Sequence, residues 1–150
     1  MQGITKNVFL TLLMFFVGSF SAFADNDNDS DLVDTAQSAY WEPVMDAIIA
    51  VESNGNTRAM HGSSVGAMQI TPLLVMECNA ILRSRKSKRR FKLSDRFSVK
   101  KSKEMFLLIQ SKYNPLNNIE KAIRSWNGGI RYSVSRTQRY FERVMKAMKR

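Results

Sequence analysis

One carboxylate in this chain sits where proton transfer would want it. Met45, Ile48, Ile49 and Glu52 follow the three- and four-residue repeat that places side chains on one helix face. An acid therefore continues an apolar stripe. Burial disfavours its charged form, and a place at a helix C-terminus, the negative end of the dipole, pushes the same way. Both influences raise the pKa, as a general acid that protonates a leaving oxygen requires. The same spacing also describes a glutamate at the edge of the stripe, turned to solvent. Periodicity alone does not separate the two.

The other reactive side chains are few. His61 is the single histidine and Cys78 the single cysteine. One His cannot build a His-rich zinc site, and no acidic cluster suggests a metal, so neither metal nor cofactor is expected. Cys78 falls in LLVMECNAIL, in step with Leu74 and Ile81, which reads as a buried structural thiol. A Cys78/His61 peptidase dyad has no flanking motif in its favour.

These residues need helices to hold them. Periodicity begins at Tyr40, runs through Trp41, Val44, Met45, Ile48 and Ile49, and stops at Ser53-Asn54-Gly55-Asn56. Residues 56–71 read as an irregular loop or short strand pair. Pro72 suits the first turn of a second helix reaching about Leu82. Residues 83–97 read as a basic loop. A third helix spans Val99 to Tyr113 and ends before Asn114-Pro115. Ile119, Ala122, Ile123 and Trp126 mark a fourth, closed by Asn127-Gly128-Gly129. Tyr140, Phe141, Val144, Met145 and Met148 mark the last. A mainly α, single-domain protein is expected.

The chain begins as an export signal would. Lys6 precedes the apolar run Val8–Phe20, shorter than the ~20 residues a spanning helix needs, and Ala22-Phe23-Ala24 fits the small-x-small pattern of signal cleavage. Residues 1–24 are read as a signal peptide. No cysteine is near that site, so a periplasmic or secreted protein is expected, not a lipoprotein. Residues 25–39, acidic at their start, read as a flexible leader, and 40–150 as the functional domain. Of the 23 Lys and Arg only Lys6 precedes residue 35, whereas five of the 13 Asp and Glu do, so residues 35–150 carry 22 basic against 8 acidic side chains. So basic a body expects a polyanionic partner. Outside the cytoplasm that means wall polymer or an anionic membrane surface, not nucleic acid. Residues 83–90 (RSRKSKRR) are the candidate contact, or equally a solvated loop.

Four motifs occur in order: Glu52-Ser53; Gly66-Ala67-Met68-Gln69-Ile70-Thr71-Pro72; Ser125-Trp126-Asn127-Gly128-Gly129; and Thr137 with Tyr140. In these the chain resembles the soluble lytic transglycosylases, with their lysozyme-like fold of the goose-type (SLT domain) class, over roughly residues 41–145. That family shows a Glu-Ser pair at a helix end, then Gly-Leu-Met-Gln, then Ala-Tyr-Asn-Ala-Gly, then a Tyr in the final helix. Ala67 stands here for the Leu, Trp126 for the Tyr and Gly128 for the second Ala. His61 stands where an Ala-Val-Ser would place a serine, with Ser63 and Ser64 close by.

The resemblance implies that Glu52 is the catalytic acid/base, with Ser53 beside it bonding backbone or carboxylate. Met68 and Gln69 line a sugar groove, Asn127 contacts substrate or orders the loop, and Tyr140 hydrogen-bonds the Glu52 carboxyl. Trp126 and Tyr140 also fit core packing. The implied architecture is two helical lobes flanking a groove with Glu52 at its base. The implied reaction cuts the β-1,4 bond between N-acetylmuramic acid and N-acetylglucosamine in peptidoglycan. Glu52 protonates the leaving oxygen, the 2-acetamido group stabilises the cationic centre, and the C6 hydroxyl closes a 1,6-anhydro ring. A monomer is expected. A lysozyme-type hydrolase and a non-catalytic basic wall- or membrane-binding protein are the alternatives. Hydrolysis by the usual routes needs a second carboxylate, and none of Glu42, Asp46, Glu77, Asp95, Glu104, Glu120 or Glu142 lies in a motif.

Overall fold

The computed structural model describes residues 35–150; the segments read as a signal peptide (1–24) and as most of the leader (25–34) lie outside them. The described residues are mainly helical. α1 spans Thr35–Ser53, α2 Pro72–Ser84, α3 Val99–Tyr113, α4 Ile119–Gly128 and α5 Val134–Ala147. A two-stranded antiparallel hairpin, β1 (Met60–His61) and β2 (Ser64–Val65), follows α1. A 3-10 helix, Leu93–Phe97, precedes α3. Among the described residues no helix is long and apolar enough to cross a membrane.

Residues 35–39, assigned above to the leader, are the first turns of α1. They carry no large apolar side chain, so the hydrophobic repeat gave no sign of them. From Trp41 the helix buries Trp41, Val44, Met45, Ala47 and Ile48. It ends where Asn54 (φ 52°) and Gly55 (φ 83°) turn left-handed. Gly55 reaches that region without the steric cost a Cβ brings.

The remaining ends follow ordinary capping chemistry. Thr71 accepts from the Leu74 N–H and Pro72 fills the first turn of α2. Ser98, Asn118 and Ser133 cap α3, α4 and α5. α5 starts six residues before the first apolar position expected for it. Its early turns hold Ser135, Arg136, Thr137, Gln138 and Arg139, a run with no apolar stripe, and Arg124 of α4 stabilises it. That guanidinium is 3% exposed. It donates to Glu120, to the Val134 carbonyl at 3.0 Å, to Thr137 Oγ1 at 3.2 Å and to Gln138 Oε1 at 2.8 Å, and lies over the Phe141 ring.

α5 packs on α1 and α4, and α2 on α3. An aromatic series runs through the core between α1, α3 and α4: Trp41 meets Phe106 edge-on, and Phe106 packs against Trp126 with centroids 5.2 Å apart. Cys78 is wholly buried, its thiol directed to the Met105 carbonyl. Burial pushes that thiol's pKa up to about 12.

Candidate active site

Glu52 lies in the last turn of α1, partly buried. Tyr140 of α5 donates its hydroxyl to Glu52 Oε1 at 2.8 Å. The two residues are 88 positions apart in sequence, so the pairing depends on the packing of α5 on α1. Burial pushes the Glu52 pKa up; the Tyr140 hydrogen bond and the charges of Arg143 and His61 pull it down, and burial prevails. Burial and the neighbouring carboxylate raise the Tyr140 pKa well above its usual value, so the phenol remains a donor.

Ser53 donates to the Ala67 carbonyl at 2.8 Å and to Ile49 O at 3.3 Å. It therefore bonds backbone, not the carboxylate, and ties the end of α1 to the loop after the hairpin. From the other side, Trp126 Nε1 donates to the Met68 carbonyl at 3.2 Å. Two successive carbonyls of one loop are thus held by side chains from α1 and α4.

One expectation for this loop is corrected. Met68 is not on a groove wall: it is 0% exposed, a core residue. Gln69 staples the loop together. Its backbone is left-handed (φ 52°). Its amide nitrogen donates to Gly66 O at 2.8 Å and to Ala59 O at 3.3 Å, and its oxygen pairs with His61 Nδ1 at 2.9 Å. His61, where a serine was looked for, buttresses Gln69 and contributes charge near Glu52. Ser63 offers its carbonyl to Arg96, and among the described residues the one hydrogen bond formed by the Glu52 carboxylate comes from Tyr140.

Gly66 shows why that position has no side chain. It has φ +80°, and a Cβ there would be 1.9 Å from the Arg96 carbonyl oxygen. The 3-10 helix presses onto the loop at this point, and Arg96 donates to Ser63 O and Ile70 O. Gly128 has a similar steric cause. A Cβ would be 2.8 Å from both Thr137 Cγ2 and Tyr132 Cβ, so the alanine usual in the resembled family does not fit between α4 and α5.

A cleft of about 450 Å3 opens beside α4. Leu73, Leu74, Tyr113, Trp126 and Ile130 give it apolar walls; Asn127 also lines it, and Glu77 is the one carboxylate among its lining residues. Tyr113 and Lys112 both donate to Glu77, and these bonds hold its pKa below the usual glutamate value. Glu52 is not among the residues that line this cleft. It connects to it through Ser53, the loop at 67–68 and Trp126.

Sequence reading placed Glu52 and Tyr140, which the structure brings together, and Trp126 and Asn127, which share the cleft. It missed Arg143, whose Nη2 donates to Val51 O at 3.0 Å. The available signal was its position one turn beyond Tyr140, on the same side of α5. Among the described residues no group of three His, Cys, Asp or Glu could hold a metal ion. The sequence matches no protein-family model, and no curated protein or solved structure matches it.

Proposed function

We propose that this chain is a lysozyme-like lytic transglycosylase that cleaves peptidoglycan glycan strands outside the cytoplasm, exported through residues 1–24. The observation that carries the reading is the Glu52–Tyr140 pair: a carboxyl with a raised pKa, held by one phenol in the last turn of a helix. A raised pKa keeps the proton available for the leaving oxygen, and the fixed hydroxyl steers the carboxyl towards it. The carboxylate then accepts the C6 hydroxyl proton as the 1,6-anhydro ring closes. The cleft beside α4, which meets Glu52 only through the loop at 67–68, has an aromatic wall with a few polar groups, a lining that suits a sugar's apolar face and hydroxyl rim. Glu52→Gln keeps the size of the side chain and loses its proton chemistry. It is expected to clear purified cell wall about 10²–10⁴-fold more slowly than wild type. Clearing near the wild-type rate would remove Glu52 from the mechanism.

Hydrolysis is the second reading, and Glu77 favours it, as an ionised carboxylate on the cleft wall. The products decide. Anhydro ends are one water lighter by mass spectrometry than reducing ends, and they are the expected outcome. Predominantly reducing ends, lost in Glu77→Gln, would make the chain a hydrolase with Glu77 as its second acid.

A further inference from the structure

Five basic side chains run along one edge of α5. Arg136, Arg139, Arg143, Lys146 and, just past the helix end, Arg150 are separated by alternating steps of three and four residues, which puts them on one face. All five are exposed. Arg136 to Lys146 covers ~15 Å of helix axis. The adjacent, inward edge buries Thr137, Tyr140 and Val144. The one acid of α5, Glu142, accepts from Gln138, and among the described residues none of the five forms a salt bridge. The exposed large apolar residue of α5, Val134, is two positions before Arg136 and so points roughly 160° away from the row. The row passes the proposed catalytic acid: Arg143 donates to Val51 O, and Tyr140, one turn earlier, donates to Glu52.

We infer that this row binds the carboxylates of the peptide stems attached to the glycan strand, so that the substrate is stem-bearing anionic wall in preference to naked glycan. The inference rests on the function proposed above. The stems supply a line of carboxylates beside the scissile bonds, and four of the five cations are guanidinium groups, whose fork geometry fits a carboxylate. A lipid surface is better met by a broad patch with apolar side chains interleaved. This row is narrow and contains none.

The test compares intact strands, strands stripped of stems by an amidase, and strands whose stem carboxylates are chemically amidated. The variant is Arg136→Gln/Arg139→Gln/Lys146→Gln, which leaves Arg143 in place. Wild type is expected to show a lower KM on intact strands than on the other two. Loss of three exposed contacts together should raise the variant's KM on intact strands roughly threefold to thirtyfold at low salt, with kcat and the KM on stripped strands unchanged. Equal KM on intact and stripped strands for wild type, or an unchanged KM for the variant, overturns the inference and leaves the proposed function standing. Sedimentation of the Glu52→Gln protein with intact and stripped sacculi reads binding without cleavage. Stem-dependent binding by a chain that cuts neither substrate would retain the row and remove the proposed function. Tighter, row-dependent binding to phosphatidylglycerol vesicles than to intact sacculi would overturn the inference in favour of a membrane.

Discussion

At Glu52 three neighbours, Tyr140, Arg143 and His61, favour charge and burial opposes it. Tyr140→Phe deletes a hydrogen bond that stabilises the carboxylate, so the Glu52 pKa should rise further. Activity that needs the protonated acid falls as pH passes through this pKa. The alkaline limb of the pH profile is therefore expected to move upward in Tyr140→Phe while turnover drops, because the carboxyl loses its steering. A limb that stays in place would make the ring mere packing. Glu52→Gln carries a stability prediction as well. A carboxyl whose folded pKa is raised binds its proton more tightly when folded, so it weakens the fold as pH climbs from the unfolded value of 4.5 through the folded one. The amide should melt higher than wild type at neutral pH, and the gain should vanish in acid. At this scale the sequence made Glu52 and Tyr140 legible through motif and periodicity. Arg143 was not, and neither was the stapling role of Gln69, because both depend on backbone carbonyls that fold next to them.

The elements that carry these residues are joined at a few points where substitution should be felt across the site. Gly66→Ala forces a Cβ against the Arg96 carbonyl at a left-handed backbone. A loss of about 2–4 kcal/mol is expected by urea unfolding, with activity declining in parallel because the same loop is tied to Ser53 and Trp126. Arg124→Ala leaves the Val134, Thr137 and Gln138 acceptors short of a donor, and about 2–3 kcal/mol is expected. Its partner Glu120 is largely exposed, so the ion pair itself contributes little to that figure. Helices with a clear apolar repeat or a proline at their boundary were readable from sequence, α2 and α3 best of all. The 3-10 helix was not. Its residues bury nothing, and its shape comes from Asp95 capping the Lys92 N–H and from Arg96 gripping the loop at 63–70. The start of α5 was hidden for a related reason: what stabilises it is an arginine on another helix.

Across the whole molecule the charge is distributed in more than one place. The basic segment 83–90 is partly built into the fold: Arg89 pairs with Glu104 and lies over Phe91, and Arg85 donates to Ser111. Arg83, Lys86 and Lys88 project outward. Replacing those three by serine should weaken sedimentation with wall fragments at low salt, and the difference should shrink at ~0.15 M and above, where the screening length is about 8 Å. Identical sedimentation at every salt concentration would leave the segment without a part in wall binding.

The single cysteine gives the molecule a built-in clock. Cys78 is sealed between α2 and α3, and a thiol pushed up to about 12 is almost entirely protonated near neutrality. An alkylating reagent can modify it only during excursions in which α2 lifts off α3. Wherever closing outpaces the chemistry, the labelling rate divided by that of an unfolded thiol gives the population of this opened form directly. The native chain thus reports how often its own core breathes, with no probe added and no residue changed.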